Sequence, residues 1–297
     1  MRTSSAGRRS GPAFLAAALA ALVFTGCANV GTPPPLRLYV LDCGTLHIGD
    51  PVRFNLKREE VTSTDLSLAC VVVAHPKGTL MWDTGGVPDA EWTPAGASVK
   101  HHLVLPGGAG ERDLTLRKRL SAQLTEIGLA PRDVMYLALS HYHFDHTANA
   151  SAFPDATWLV RQPDRNAMFA EKPPFASRPT TYAALRDAKT RIVEGDDYDV
   201  FGDGSVVLKS TPGHTPGHQS LYVRLPKTGP VLLSGDLYHF QESRTLQRVP
   251  SFDFDQERSR ATRAAVEAFL KQTGTQLWIQ HDAVSNARLR QAPQYYE

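Results

Sequence analysis

Cysteine is scarce: Cys27, Cys43 and Cys70 are the whole complement in 297 residues. So few cannot build a disulfide framework, and Cys43 and Cys70, beside early apolar runs, read as two buried reduced thiols. Charge of one sign is also lacking. The 32 basic and 30 acidic residues nearly cancel, which removes the basic stripe that nucleic-acid binding needs. No apolar run reaches the length of a membrane-spanning helix; Ala13 to Phe24 is too short. With 42% hydrophobic and 21% charged residues, the chain has the composition of a folded globular protein, not a disordered one.

The short apolar run belongs to a segment of its own. Arg2, Arg8 and Arg9 precede it, and the small residues Thr25 and Gly26 lead into Cys27. This order resembles a bacterial lipoprotein signal, in which cleavage after residue 26 leaves Cys27 as a lipid-modified N-terminus. Ala28 resembles the pattern for outer-membrane sorting. The expected location is therefore the cell envelope, anchored to the outer membrane and facing the periplasm. An ordinary secretory signal, giving a soluble periplasmic or secreted protein, is the alternative. Losing residues 1–26 removes three arginines and no acids, which leaves 29 basic and 30 acidic residues. Residues 27–36, with Pro33-Pro34-Pro35, read as a tether, and 37–297 as a single domain.

Against these absences stands one concentration of chemistry. Ser140-His141-Tyr142-His143-Phe144-Asp145-His146 follows the apolar run Val134 to Leu139. Imidazoles and a carboxylate suit borderline divalent metals such as zinc, and four of them at a strand end need a cation. His141 and His143 point the same way on extended backbone and can grip one ion. Asp145 and His146, where the chain turns helical, can reach a second. Four ligands are too few for two metals, so others must come from elsewhere.

Each remaining candidate lies just beyond a short apolar run. Thr211-Pro212-Gly213-His214-Thr215-Pro216-Gly217-His218 follows Val206 to Leu208, Asp236 follows Val231 to Gly235, and His281 follows Leu277 to Gln280. The ordered set of Ser-His-x-His-x-Asp-His, Thr-Pro-Gly-His, Ser-Gly-Asp and Gln-His-Asp resembles the metallo-β-lactamase superfamily. Its Thr-Pro-Gly-His-Thr-Pro-Gly-His-Gln-Ser-Leu run looks most like the N-acyl homoserine lactone lactonases. The resemblance extends from Leu38 to Tyr296 and includes the Trp82-Asp83-Thr84-Gly85 turn.

The resemblance implies an α/β fold, an αββα sandwich of two mixed sheets flanked by helices. It implies that His141, His143 and His214 bind one metal, that Asp145, His146 and His281 bind the other, and that Asp236 bridges. His218 is the rival for the third-histidine role and otherwise supports the turn. The expected cofactors are two divalent ions, zinc first, with iron, cobalt or manganese as substitutes. Held about 3.5–4 Å apart, they can share a water, make hydroxide available and polarise a carbonyl. The expected reaction is quorum-quenching opening of a lactone, an N-acyl homoserine lactone first. Asp145 or Asp236 would shuttle a proton to the leaving oxygen, and Asp83 would orient a ligand histidine or cap its turn. The family's tyrosine near this place is displaced: Tyr238 lies one residue early and His239 stands at the usual position, so either can take the role or neither.

Other functions are rivals. A β-lactamase is disfavoured by Asp236, since superfamily β-lactamases lack a bridging carboxylate there. A thioesterase or phosphodiesterase keeps the bridge, and a non-catalytic, lipid-anchored binding protein of the same fold is the rival outside enzymology. Metal analysis with any turnover separates these classes.

The surrounding pattern is mixed α/β. Strand-like runs occupy Leu38 to Leu41, Ala69 to Ala74, Thr79 to Trp82 and Val206 to Leu233. Gly85 to Glu111 reads as a long surface loop. Asp113 reads as the cap of a helix carrying Leu116, Leu120, Leu124 and Ile127 and closed by Gly128. A second helix, Gln256 to Gln272, carries Ala261, Ala265 and Phe269 on one face. The irregular patch Glu171 to Pro179 is placed to cover the site. Phe175, Phe240 and Trp92 are candidates for an apolar pocket; His47, His75, His101 and His102 lack ligand spacing.

Overall fold

The computed structural model describes residues 1–4, 7, 35–93, 98–105 and 109–297. Cys27, most of the signal and nearly all of the tether lie outside these residues. Pro34–Glu297 forms one compact unit. Among the described residues, no helix is long and apolar enough to cross a membrane.

Two sheets form the centre. The first contains β1 (Arg37–His47), β2 (Asp65–His75), β3 (Gly78–Trp82), β4 (Val99–Leu105), β5 (Gly110–Leu116), β6 (Tyr136–Ala138), β7 (Thr157–Val160) and β8 (Thr190–Ile192). Their spatial order is β4-β5-β1-β2-β3-β6-β7-β8. The second contains β9 (Asp197–Asp199), β10 (Val206–Ser210), β11 (Gln219–Leu225), β12 (Gly229–Leu233) and β13 (Gln276–Trp278), in the order β13-β12-β11-β10-β9.

Alternation along the strands explains the layers. Val71 and Val73 of β2 and Val231 and Leu233 of β12 share the core between the sheets. Cys70 and Val72 point to the other face of the first sheet, where Leu120 and Leu124 of the helix Leu120–Glu126 pack. Leu232 points to the far side of the second sheet, against Val266 and Leu270 of the helix Gln256–Thr273. The result is the expected αββα sandwich.

Four details differ from the sequence reading. Cys43 and Cys70 are joined as a disulfide, with Cα atoms 5.8 Å apart. Antiparallel pairing of β1 with β2 sets Leu41 opposite Cys70, and the irregularity after Asp42 brings Cys43 within reach. Asp113 caps no helix; it lies in β5 opposite His102 of β4. Leu114 and Leu116 are buried at period two, so Leu116 belongs to the strand pattern and the helix begins at Leu120. The stretch read as a loop accordingly contains β4 and the start of β5. Finally, the buried face of the helix Gln256–Thr273 carries Ser259, Thr262, Arg263, Val266 and Leu270, one position round from Ala261, Ala265 and Phe269.

The site follows from strand direction. β3 and β6 run parallel, as do β12 and β13, and β10 is antiparallel to β11, which is antiparallel to β12. The C-terminal ends of β3 and β6, and those of β10, β12 and β13, therefore gather at one end of each sheet. The opposite end of β1 is closed by the chain's last residues, where Leu38 and Tyr296 exchange backbone hydrogen bonds of 2.9 Å each.

Candidate metal centre

The ends of those strands bring all seven expected ligands together. His141, His143, His214 and Asp236 form one buried group, and Asp145, His146 and His281 a second. Asp236 spans them. Its Oδ1 lies 3.1 Å from His146 Nε2 and 2.9 Å from His281 Nε2, while its Oδ2 lies 3.2 Å from His214 Nε2 and 3.6 Å from His141 Nε2. His239 Nε2 is 3.0 Å from the same Oδ2. His239 thus forms a third group with Asp236 and His281.

Local backbone explains the convergence. His143 is extended and the turn Phe144–Thr147 starts immediately after it, so Asp145 and His146 are carried away from His141 and His143. Gly235 has φ +53°, and a Cβ there would come within 2.7 Å of His218 Nε2 and 2.9 Å of Ser140 Cβ. Only glycine lets the Asp236 turn pass this close. Gly213, at φ +142°, meets the backbone of Ser259 in the same way and sets His214 against the start of the long helix.

Surrounding groups fix the rings. Asp83 Oδ2 lies 2.9 Å from His146 Nδ1, its Oδ1 accepts the Ser140 N–H at 2.6 Å, and Gln280 Nε2 donates to Oδ2 at 2.6 Å. Asp83 therefore does orient a candidate ligand. His281 Nδ1 lies 2.8 Å from the Ser67 carbonyl, and His214 Nδ1 2.8 Å from Asp253 Oδ1. His218 stands behind the cluster: its Nδ1 donates to the Thr211 carbonyl at 2.9 Å and its Nε2 accepts the Asp236 N–H at 2.9 Å. Burial lowers the His218 pKa to about 3, which keeps Nε2 an acceptor. Among the two rivals, His214 is the one that faces the cluster. Asp253 was absent from the sequence reading; it stands 39 residues from its partner, and no motif marks it.

The donor set fits divalent cations. His143 Nδ1 and His214 Nε2 are 3.0 Å apart, and His146 Nε2 and His281 Nε2 are 3.1 Å apart. Two nitrogens sharing one tetrahedral zinc would be about 3.3 Å apart. Among the described residues, His141 Nε2 is buried with no hydrogen-bond partner. Charge tells the same story. Burial alone would raise the Asp236 carboxyl, yet His281, His146 and His141 drive it well below the usual range. Burial works against charge on His214 and His146 too, but Asp236 and Asp253 push His214 up to about 9, and Asp236, Asp83 and Asp145 push His146 well above its ordinary value. The protons thus held stand where cations would otherwise balance the carboxylates.

Tyr238 is a correction. Its hydroxyl donates to Glu267 Oε1 at 3.0 Å, on the far side of the second sheet, beneath the Arg263 guanidinium. Tyr238 is extended, so the next side chain points the opposite way, and it is His239 that enters the site. Of the pocket candidates, Phe175 lines the cavity over the cluster, and the Glu171–Pro179 patch docks there through the Phe144 N–H to Ala176 carbonyl bond of 2.8 Å. Phe240 packs edge-on against Phe54 in the core, and Trp92 lies under Arg119. Phe54 and Phe252 were missed as lining residues. His75 stacks on Phe201, a packing role as expected.

A model of the metallo-beta-lactamase superfamily matches residues 64–274. The chain belongs to that superfamily. Among curated relatives, the N-acyl homoserine lactonase AttM of Azorhizobium caulinodans is 29% identical over 273 residues, covering 88% of this chain and 99% of that protein. The N-acyl homoserine lactonase AiiA of Bacillus thuringiensis subsp. kurstaki is 27% identical over 234 residues, covering 78% and 87%. A solved superfamily structure, an N-acyl homoserine lactone hydrolase with the product N-hexanoyl-L-homoserine at its catalytic metal centre, superposes with a TM-score of 0.72 at 25% identity. It covers 87% of this chain and 98% of its own.

Proposed function

We propose that the chain is a dinuclear metal-dependent hydrolase that opens N-acyl homoserine lactones. The observation that carries this reading is Asp236, whose two oxygens face the two histidine groups from between them. Relatives that open such lactones match the chain over most of its length. His141, His143 and His214 would hold one ion, Asp145, His146 and His281 the other, with Asp236 shared; zinc is the proposed metal. When bound, the ions supply acidified water and draw charge from the scissile carbonyl.

The chain's own groups do the rest. Asp145 lines the cavity and would carry a proton toward the departing oxygen. His239, which lines the same cavity, would take the role that Tyr238 leaves and donate to developing charge. Leu46, Phe54, Leu66, Phe175 and Phe252 give the acyl chain an apolar wall. A pH-indicator panel on zinc-loaded protein tests the reading. Short- and long-acyl lactones should be opened, a β-lactam and a thioester far more slowly. A thioester or β-lactam turned over faster than every lactone would overturn it.

The proposed location is the envelope, through a lipid at Cys27. The Cys43–Cys70 disulfide supports export, because such bonds persist in oxidising compartments. Wild-type protein should fractionate with membranes, and Cys27→Ser should not. A mature N-terminus without lipid at Cys27, read by mass spectrometry, removes the anchor.

A further inference from the structure

The cavity over the metal centre holds two positive charges to which the proposed opening of the lactone assigns no role. Arg53 and Arg112 both line it. The Arg53 guanidinium lies over the rings of Phe175 and Phe252, 5.4 and 5.8 Å from their centroids. Those rings in turn contact His143 and His214, at 6.2 and 5.8 Å between centroids. One aromatic layer therefore separates Arg53 from the reacting centre. Arg112 projects from β5, half-buried, and its Nη1 donates to the Glu111 carbonyl at 2.7 Å.

Among the described residues, neither guanidinium has a carboxylate partner, although two acids share the rim. Asp50 Oδ1 accepts the Val52 N–H at 2.9 Å, and Glu111 faces His102 Nε2 at 3.8 Å. Burial and the charge of Arg53 both weaken the hold of Arg112 on its proton, and Asp145 offsets this only in part. A guanidinium keeps its proton at any ordinary pH, so the repulsion persists in the free protein. An anion between the two would relieve it and could accept their paired N–H donors.

We propose that Arg53 and Arg112 bind a carboxylate on the acyl part of the substrate, remote from the bond that is opened. The preferred lactone is then an anionic one, with an acyl chain bearing a terminal carboxylate. The inference takes the reacting bond from the proposed function and adds the charge.

The test uses zinc-loaded protein and a matched pair, N-hexanoyl and N-(5-carboxypentanoyl) homoserine lactone. It adds their γ-lactam analogues, which resist opening, for calorimetric binding. The carboxylate lactone should have a kcat/KM about tenfold higher or more at low salt, and the advantage should shrink in about 0.5 M NaCl. The carboxylate lactam should bind more tightly by a similar factor. Arg53→Gln and Arg112→Gln should each collapse that binding ratio, while Arg112→Lys keeps part of it. A ratio near one, or a ratio that neither glutamine variant moves, overturns the proposal. If neither lactone is opened but the carboxylate lactam still binds better through the arginines, the lactone reading fails and the anion site stands.

Discussion

The two sides of the metal cluster are supported by different kinds of structure. His146 and His281 lean on the first sheet: on Asp83, at the end of β3, and on the carbonyl of Ser67, within β2. His214 leans on Asp253, in the loop before the long helix, itself held by Ser259 Oγ at 2.6 Å. His143 Nδ1 faces His214 Nε2 across the cluster. One side is thus built on strand backbone that the fold cannot move cheaply. The other depends on a loop clamped by a few hydrogen bonds, among them Asp255 N–H to the Gly213 carbonyl at 2.9 Å. Precision at the cluster comes from both, but tolerance to change should not be equal.

The largest effect should come from the ligands themselves. Wild-type protein should bind about two divalent ions per chain, and His143→Ala or His281→Ala should lose metal and activity together, to background. Elemental analysis finding one ion at full activity would reject the dinuclear centre on either side.

Next come the neighbours that face opposite ways. His239→Ala should lower lactone turnover on the order of 10²-fold with metal content kept, as when a donor to developing charge is removed. Tyr238→Phe should turn over at nearly the wild-type rate and lose only the bond to Glu267, about 0.5–1.5 kcal/mol of stability in chemical denaturation. A large rate loss from Tyr238→Phe would show that the hydroxyl reaches the site after all.

The finest comparison tests the asymmetry directly. Asp83→Asn and Asp253→Asn should each weaken metal binding about 10–100-fold in chelator competition. The Asp83 variant should be the worse of the two, because that carboxylate also receives Ser140 N–H and Gln280 Nε2. Equal losses would mean that the loop is as firm a support as the strands.

What the sequence disclosed follows the same division. The ligands were legible because each follows an apolar strand run and the chemistry of four is contiguous. Asp83 could be named because its turn sits at a strand end. Asp253 could not, since its partnership with His214 exists only once the long helix has docked. The disulfide was hidden because it depends on strand register and one irregularity after Asp42, which spacing does not encode. In β5, Leu114 and Leu116 alternate while Leu116, Leu120 and Leu124 also fit a helix; pairing with β4 decides for the strand. The exchange of Tyr238 for His239 turned on one extended residue after the Gly235 turn.

The pairing of Leu38 with Tyr296 has a consequence for handling and for display. β1 is 11 residues long, and its course from this pairing to His47 at the cavity covers roughly 30 Å. Arg37 and Tyr296 therefore both lie at the far end of the strand from the opening over the metals. A purification tag appended after Glu297 would trail from that same rear end and leave the entrance clear.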